Sequence, residues 1–253
     1  MSDFMCHIDM SKSHSDLKSE VKKVWGKYMA YHIFNLDDDC IEKSYEDLAS
    51  HLGEIRVCHS ANSKSTPFSK SRDIKPNKNL YHFFSSSSRQ PLHTDYAYYE
   101  EKEAPEWLML YCMKPSELGG KTHLISVETL EKILKEYNPD LLKKIKVDVF
   151  WKYNGNDGDK IHVKPIYDGK NINWNYWQIN KDLNTDEVVS TAKEFFSFLE
   201  DKIVGGGIYD FSKSWNRGDC IIFNDKAMLH GRDSFLGEER WLKDYAFFDK
   251  KQK

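Results

Sequence analysis

The chain has no apolar run long enough to span a bilayer, and its first residues lack the apolar stretch of a secretory signal. A soluble, cytoplasmic protein is expected. Cysteine is sparse: Cys6, Cys40, Cys58, Cys112 and Cys220 are odd in number, widely spaced and free of any C-x-x-C pair. That argues against a disulfide framework or a zinc ribbon, and for a reducing compartment. A basic excess is also missing. The formal net charge is -3, so no overall field draws nucleic acid to the surface. The short cluster Lys143, Lys144 and Lys146 sits in amphipathic sequence and reads as a solvated helix face. No internal repeat is present.

What is abundant is aromatic. Phe, Trp and Tyr make up 14% of the 253 residues, which suits a wide core or a pocket that excludes water. The length fits one large domain, 1–253, better than two. Helical spacing runs from Leu36 to Leu52, with Asp37 to Asp39 as candidate caps. Asn62 to Lys78 is polar and reads as a long loop or lid, and Leu80 to Phe84 as a short strand. Strands are expected at Trp107 to Met113, Thr122 to Ser126, Asp219 to Phe223 and Arg240 to Phe248. Val149 to Gln178 reads as short strands and loops. Helices are expected at about 127–146, broken at Pro139, and at 186–203, ended by Gly205 to Gly207. The fold class is mainly β with helices. The pattern gives a helical N-terminal part, about 1–78, and a double-sheet core of jelly-roll type, about 79–253, carrying the inserted helices.

H-x-D occurs three times: His7/Asp9, His14/Asp16 and His93/Asp95. The first two lie in polar sequence with little strand character. His93 and Asp95 lie in Pro91-Leu-His-Thr-Asp-Tyr-Ala-Tyr98, which reads as a strand, where residues two apart share a face. A later histidine, His230, follows the apolar strand at Asp219 to Phe223. Two imidazoles and one carboxylate on one face of an octahedron leave three positions open, the ligand set of non-haem Fe(II) oxygenases.

With their flanks, these residues resemble the taurine dioxygenase and clavaminate synthase superfamily. The resemblance rests on Leu92 to Tyr99, Pro105 to Cys112, Gly119-Gly-Lys-Thr122, Gly218 to Asp225, His230-Gly-Arg-Asp-Ser-Phe235 and Glu239-Arg-Trp-Leu242. It covers about 80–248 in the family's order, loosely between 127 and 215. It implies a double-stranded β-helix and a 2-oxoglutarate-dependent dioxygenase using Fe(II) and O2. His93, Asp95 and His230 would be the iron ligands. Arg240 would bind the distal carboxylate of 2-oxoglutarate through its planar fork, with the hydroxyl of Thr122 beside it. Related halogenases lack the carboxylate of the triad. Asp95 therefore implies hydroxylation, or a variant such as desaturation.

One departure bears on substrate. Several relatives carry a second arginine four residues after the cosubstrate arginine, where it grips an anionic group. Here that position is Asp244. Either Asp244 faces the pocket and favours a cationic group, such as the amine of an amino acid, or it lies past the pocket and pairs with a lysine. Arg232, Tyr96, Tyr98, Arg89 and Trp177 are further pocket candidates. The expected partner is a small-molecule substrate, with no nucleic acid and no membrane. The rival readings are a non-enzymatic binding barrel and a zinc hydrolase.

Overall fold

The computed structural model describes residues 4–13, 15–57, 70–77, 85–155, 158–250. The expected loop residues 62–69 and the expected strand at Leu80 to Phe84 lie outside them. Among the described residues, fifteen strands and five α-helices form around two facing sheets.

The larger sheet has seven strands. In spatial order they are β1 (Met5–Asp9), β2 (Ala30–Phe34), β12 (Cys220–Asn224), β6 (Trp107–Lys114), β15 (Trp241–Asp249) and β3 (Gly53–Ile55), with β4 (Arg72–Ile74) also pairing on β15. The smaller sheet runs β11 (Phe211–Lys213), β8 (Thr122–Ser126), β13 (Met228–Arg232), β5 (Gln90–His93). Two small pairs complete the set: β9 (Asp148–Gly155) with β10 (Gly158–Pro165), and β7 (Leu118–Gly119) with β14 (Phe235–Leu236). Only the β1–β2 pairing is parallel among the described strands.

Side-chain alternation along each strand sorts the residues into layers. On β6, Trp107, Met109 and Tyr111 face outward onto α1 (Leu17–Val24) and α2 (Ile41–Leu52). Leu108, Leu110 and Cys112 face inward and meet Leu124 of β8 and Met228 of β13. The far face of the smaller sheet presents Leu92, Ile125 and Leu229. These are covered by α3 (Val127–Tyr137), α4 (Pro139–Lys144), α5 (Asp186–Phe198) and the buried Trp151 and Trp174. Each fully buried aliphatic or aromatic side chain contributes roughly 1.5–3 kcal/mol relative to exposure, so these three clusters dominate the stability.

Three expectations change. The N-terminal part is not purely helical: β1 to β4 belong to the larger sheet, so His7 and Asp9 do lie on a strand. Arg72 to Ile74 of the expected loop pairs with β15. Helix α2 begins at Ile41, because Asp38 accepts bonds from the Cys40 N–H and the Ser44 hydroxyl and so closes its entry. At the other end, α5 runs on through a π-helical turn at Leu199–Val204 before Gly205. No described helix is long and apolar enough to cross a membrane.

Candidate metal centre

His230 sits mid-strand on β13, directly opposite His93 at the end of β5. Alternation sends Met228, His230 and Arg232 to the inner face and Leu229 to the outer one. Asp95 reaches the same point differently from the expected strand alternation. The ladder of β5 stops at His93, and Asp95 lies in the following turn. The cause is Asp225, 2% exposed, whose carboxylate accepts the backbone N–H groups of Asp95 (3.0 Å) and Tyr96 (3.3 Å). Those donors are thereby withdrawn from any ladder.

Asp95 Oδ1 stands 3.2 Å from His93 Nε2 and 3.5 Å from His230 Nε2, and the two imidazole centroids are 4.1 Å apart. The three ligand atoms all lie within 4.8 Å of one another. Metal–ligand bonds of about 2.1 Å put neighbouring octahedral donors roughly 3 Å apart, so the set fits one metal ion. Each imidazole is oriented from behind. The Nδ1 of His93 lies 2.8 Å from the Pro91 carbonyl and donates to it, which leaves Nε2 for a metal. The Nδ1 of His230 faces Asp225 Oδ1 at 3.4 Å. Asp225 thus supports two of the three ligands. It ends the Gly218 to Asp225 motif, and only the fold shows what its carboxylate reaches.

Electrostatics favour a cation here. Burial opposes the charge on Asp95, but His230, His93 and Arg72 hold its carboxyl well below the ordinary value. Burial likewise opposes charge on His230, yet Asp225 and Asp95 outweigh it and raise its pKa to about 9.

Beside the triad lies an open cleft. Thr122, Arg232 and Arg240 line it, with Leu108, Leu110 and Leu242 as its apolar wall. The turn at Gly119 and Gly120, both at positive φ, delivers Thr122 to the start of β8. A side chain at Gly120 would come within 2.8 Å of Ser116 Oγ and 3.5 Å of Arg240 Nε. Thr122 is buried, and its Oγ1 accepts from Trp215 Nε1 at 2.9 Å. Arg240 is 3% exposed, its Nε has no hydrogen-bond partner, and it makes no ion pair among the described residues. Burial pushes its pKa down to about 10. Arg232 is lowered to about 9 by burial and then by Arg240, and it donates to the carbonyls of Ser86 and Ser88. Two buried guanidiniums and a hydroxyl around a polar cleft make a receptor for a carboxylate.

The other pocket candidates do not line this cleft. Arg89 pairs with Glu200, and Trp177 is 49% exposed against Phe196. Tyr96 packs against Tyr99 and Arg56, and Tyr98 against the outer core of the smaller sheet. Asp244 is buried and bound not by a lysine but by Arg72. Its charge is therefore already engaged, and the expected cation-gripping carboxylate is revised. The cleft presents Arg72 instead. Of the two earlier H-x-D pairs, Asp9 and Asp16 cap helical turns by accepting from Ser11 and Ser19, and His14 lies outside the described residues.

Two imidazoles and a carboxylate meeting between two facing sheets, with a carboxylate receptor alongside, are the marks of a mononuclear non-haem iron oxygenase. Comparison narrows the class. The profile of the taurine catabolism dioxygenase TauD, TfdA family matches residues 7–245, and the chain belongs to that family of Fe(II)/2-oxoglutarate-dependent dioxygenases. No curated protein matches by sequence. Solved structures share the fold at low identity. A taurine dioxygenase from Burkholderia xenovorans aligns with TM-score 0.63 and 10% identity over 98% of this chain and 88% of that one. An asparagine oxygenase in complex with Fe(II), 2S,3S-3-hydroxyasparagine and succinate aligns with TM-score 0.62 and 11% identity over 91% and 77%. The non-haem iron oxygenase OrfP in complex with Fe and α-ketoglutaric acid aligns with TM-score 0.62 and 13% identity over 90% and 77%.

Proposed function

We propose that this enzyme hydroxylates an unactivated C–H bond of a small molecule of the amino-acid class, with His93, Asp95 and His230 holding Fe(II). The observation that carries the reading is Arg240. It is a buried cation with no anionic partner among the described residues, and it lines the same cleft as the triad. A buried unpaired charge is costly, and a bound dianion removes that cost. Arg240 and the hydroxyl of Thr122 would take the distal carboxylate of 2-oxoglutarate. Its keto-acid end would then reach the metal.

The chemistry supplied there is oxidative decarboxylation of 2-oxoglutarate to succinate and CO2, coupled to transfer of one oxygen atom from O2 to the substrate carbon. The chain's own part is placement and exclusion of water. Leu108, Leu110 and Leu242 keep the approach to the cleft dry. The amino-acid class is supported by the asparagine and arginine derivatives bound in the structural neighbours, an asparagine oxygenase and OrfP.

The test is turnover with Fe(II), 2-oxoglutarate and O2 against a panel of amino acids, following succinate and product mass together. Succinate formed in step with a one-oxygen mass gain is expected. His230→Ala is expected to abolish both. A panel giving succinate but no oxygenated product would remove the substrate class, and a wild-type chain that never consumes 2-oxoglutarate would remove the activity.

A further inference from the structure

The two oxygens of Asp95 have different surroundings. Oδ1 faces the imidazoles of His93 and His230. Oδ2 accepts a hydrogen bond from Arg72 Nη2 at 3.0 Å. Arg72 is in turn fixed from the larger sheet. Its Nε donates to Asp244 Oδ2 at 2.9 Å, its Nη2 donates to the same oxygen, and its backbone N–H donates to Asp244 Oδ1 at 3.2 Å. The two residues are register partners across β4 and β15. Asp244 is 5% exposed, so its carboxylate is committed to this pairing. The chain Asp244–Arg72–Asp95 therefore runs from the larger sheet to the triad.

We propose that Arg72, anchored by Asp244, is a positioning residue that keeps Asp95 presenting a single oxygen to the metal. The proposal rests on the metal-site reading above. A carboxylate can bind a metal through one oxygen or through both. Bound through both, Asp95 would fill one of the three positions that the facial triad must leave open. In the loaded enzyme those positions would be needed for the keto-acid end of 2-oxoglutarate and for O2. The guanidinium occupies the second oxygen from outside and keeps that position clear. Removing a hydrogen-bonded partner of a metal ligand typically costs roughly 10–100-fold in metal affinity or activity.

The experiment measures 2-oxoglutarate affinity of anaerobic Fe(II)-loaded protein, with no substrate and no turnover. Arg72→Met and Asp244→Asn are each expected to weaken that affinity on the order of ten-fold, with Arg72→Lys in between. Asp244→Asn is the decisive variant. It removes a negative charge near the cleft, and Coulomb attraction alone would then tighten binding of the dianion. Loss of position predicts the opposite sign. Asp244→Asn binding 2-oxoglutarate as tightly as wild type, or more tightly, overturns the proposal. So does a lower melting temperature in the variants with unchanged affinity, which would mark Arg72 as a brace only. A role confined to gripping substrate would also leave this substrate-free affinity unmoved. If Arg72→Met does not fold, Arg72→Lys is read in its place. A different failure marks the underlying reading: wild type taking up no Fe(II), or His93→Ala taking up as much as wild type, removes the metal site itself.

Discussion

At the scale of single residues, Thr122 shows how far a local motif reaches. Paired glycines followed by Lys121 and Thr122 mark a turn that delivers a hydroxyl, and the structure puts that hydroxyl in the cleft. What orients it is Trp215, 93 positions away, donating to Oγ1 at 2.9 Å. With that acceptor site filled, the hydroxyl hydrogen is left to point at a bound carboxylate. No short-range signal links the two residues, since the link is made only when β11 pairs with β8. Trp215→Phe keeps the packing and removes the donor. A net hydrogen bond contributes about 0.5–1.5 kcal/mol, so KM for 2-oxoglutarate is expected to rise roughly two- to twelve-fold with kcat near wild type. Initial rates of succinate formation check this. An unchanged KM would mean that Thr122 is oriented without Trp215. The same limit hid Arg72 and Asp225. Their partners are set by sheet register and burial, whereas His93, Asp95, His230 and Arg240 carried recognisable flanks.

At the scale of elements, strands and helices with a clear apolar repeat were legible because their burial repeats with the pleat or the turn: β6, β8, α3 and α5 fall close to the expected spans. Strands at the margins of the sheet were not. β1 and β4 carry little apolar repeat, so only pairing reveals them. The segment after His93 misled for a physical reason, because Asp225 captures the N–H groups that an alternating strand would have paired. That turn has a second clamp. Lys164 of β10 donates to the carbonyl of Tyr99 at 2.9 Å and to that of Tyr96 at 3.4 Å. Burial, with Lys226 nearby, lowers its pKa from 10.5 to about 8. The unfolded chain then binds the extra proton between these values, and stability rises with pH. The penalty is fully present below about pH 8 and is relieved as pH climbs towards 10.5. Wild type is expected to gain stability relative to Lys164→Met between pH 7.5 and pH 10, read from urea midpoints. A constant difference across that range would show that the amine is charged at no cost.

At the scale of the whole molecule, the candidate site is divided between the two sheets. The triad hangs from the smaller one, through β5, its following turn and β13. Arg240 enters β15 of the larger one, and Thr122 begins β8 of the smaller. A 2-oxoglutarate molecule held at one end by the metal and at the other by Arg240 would tie the sheets together across their open mouth. Metal alone ties β5 to β13 within one sheet. Ligand at 100 times its Kd stabilises the native state by about 2.7 kcal/mol, and a domain of this size gains roughly 2–4 °C in Tm per kcal/mol. Two separate increments are therefore expected in calorimetric scans under anaerobic conditions. Fe(II) should raise Tm by several degrees, and 2-oxoglutarate should add a comparable rise only when metal is present. Arg240→Met should keep the first increment and lose most of the second, because it removes the attachment to the larger sheet and leaves the triad intact. If 2-oxoglutarate raised the Tm of Arg240→Met as much as that of wild type, the cosubstrate would have to be anchored within the smaller sheet alone, and Arg232 would be the cation that holds it.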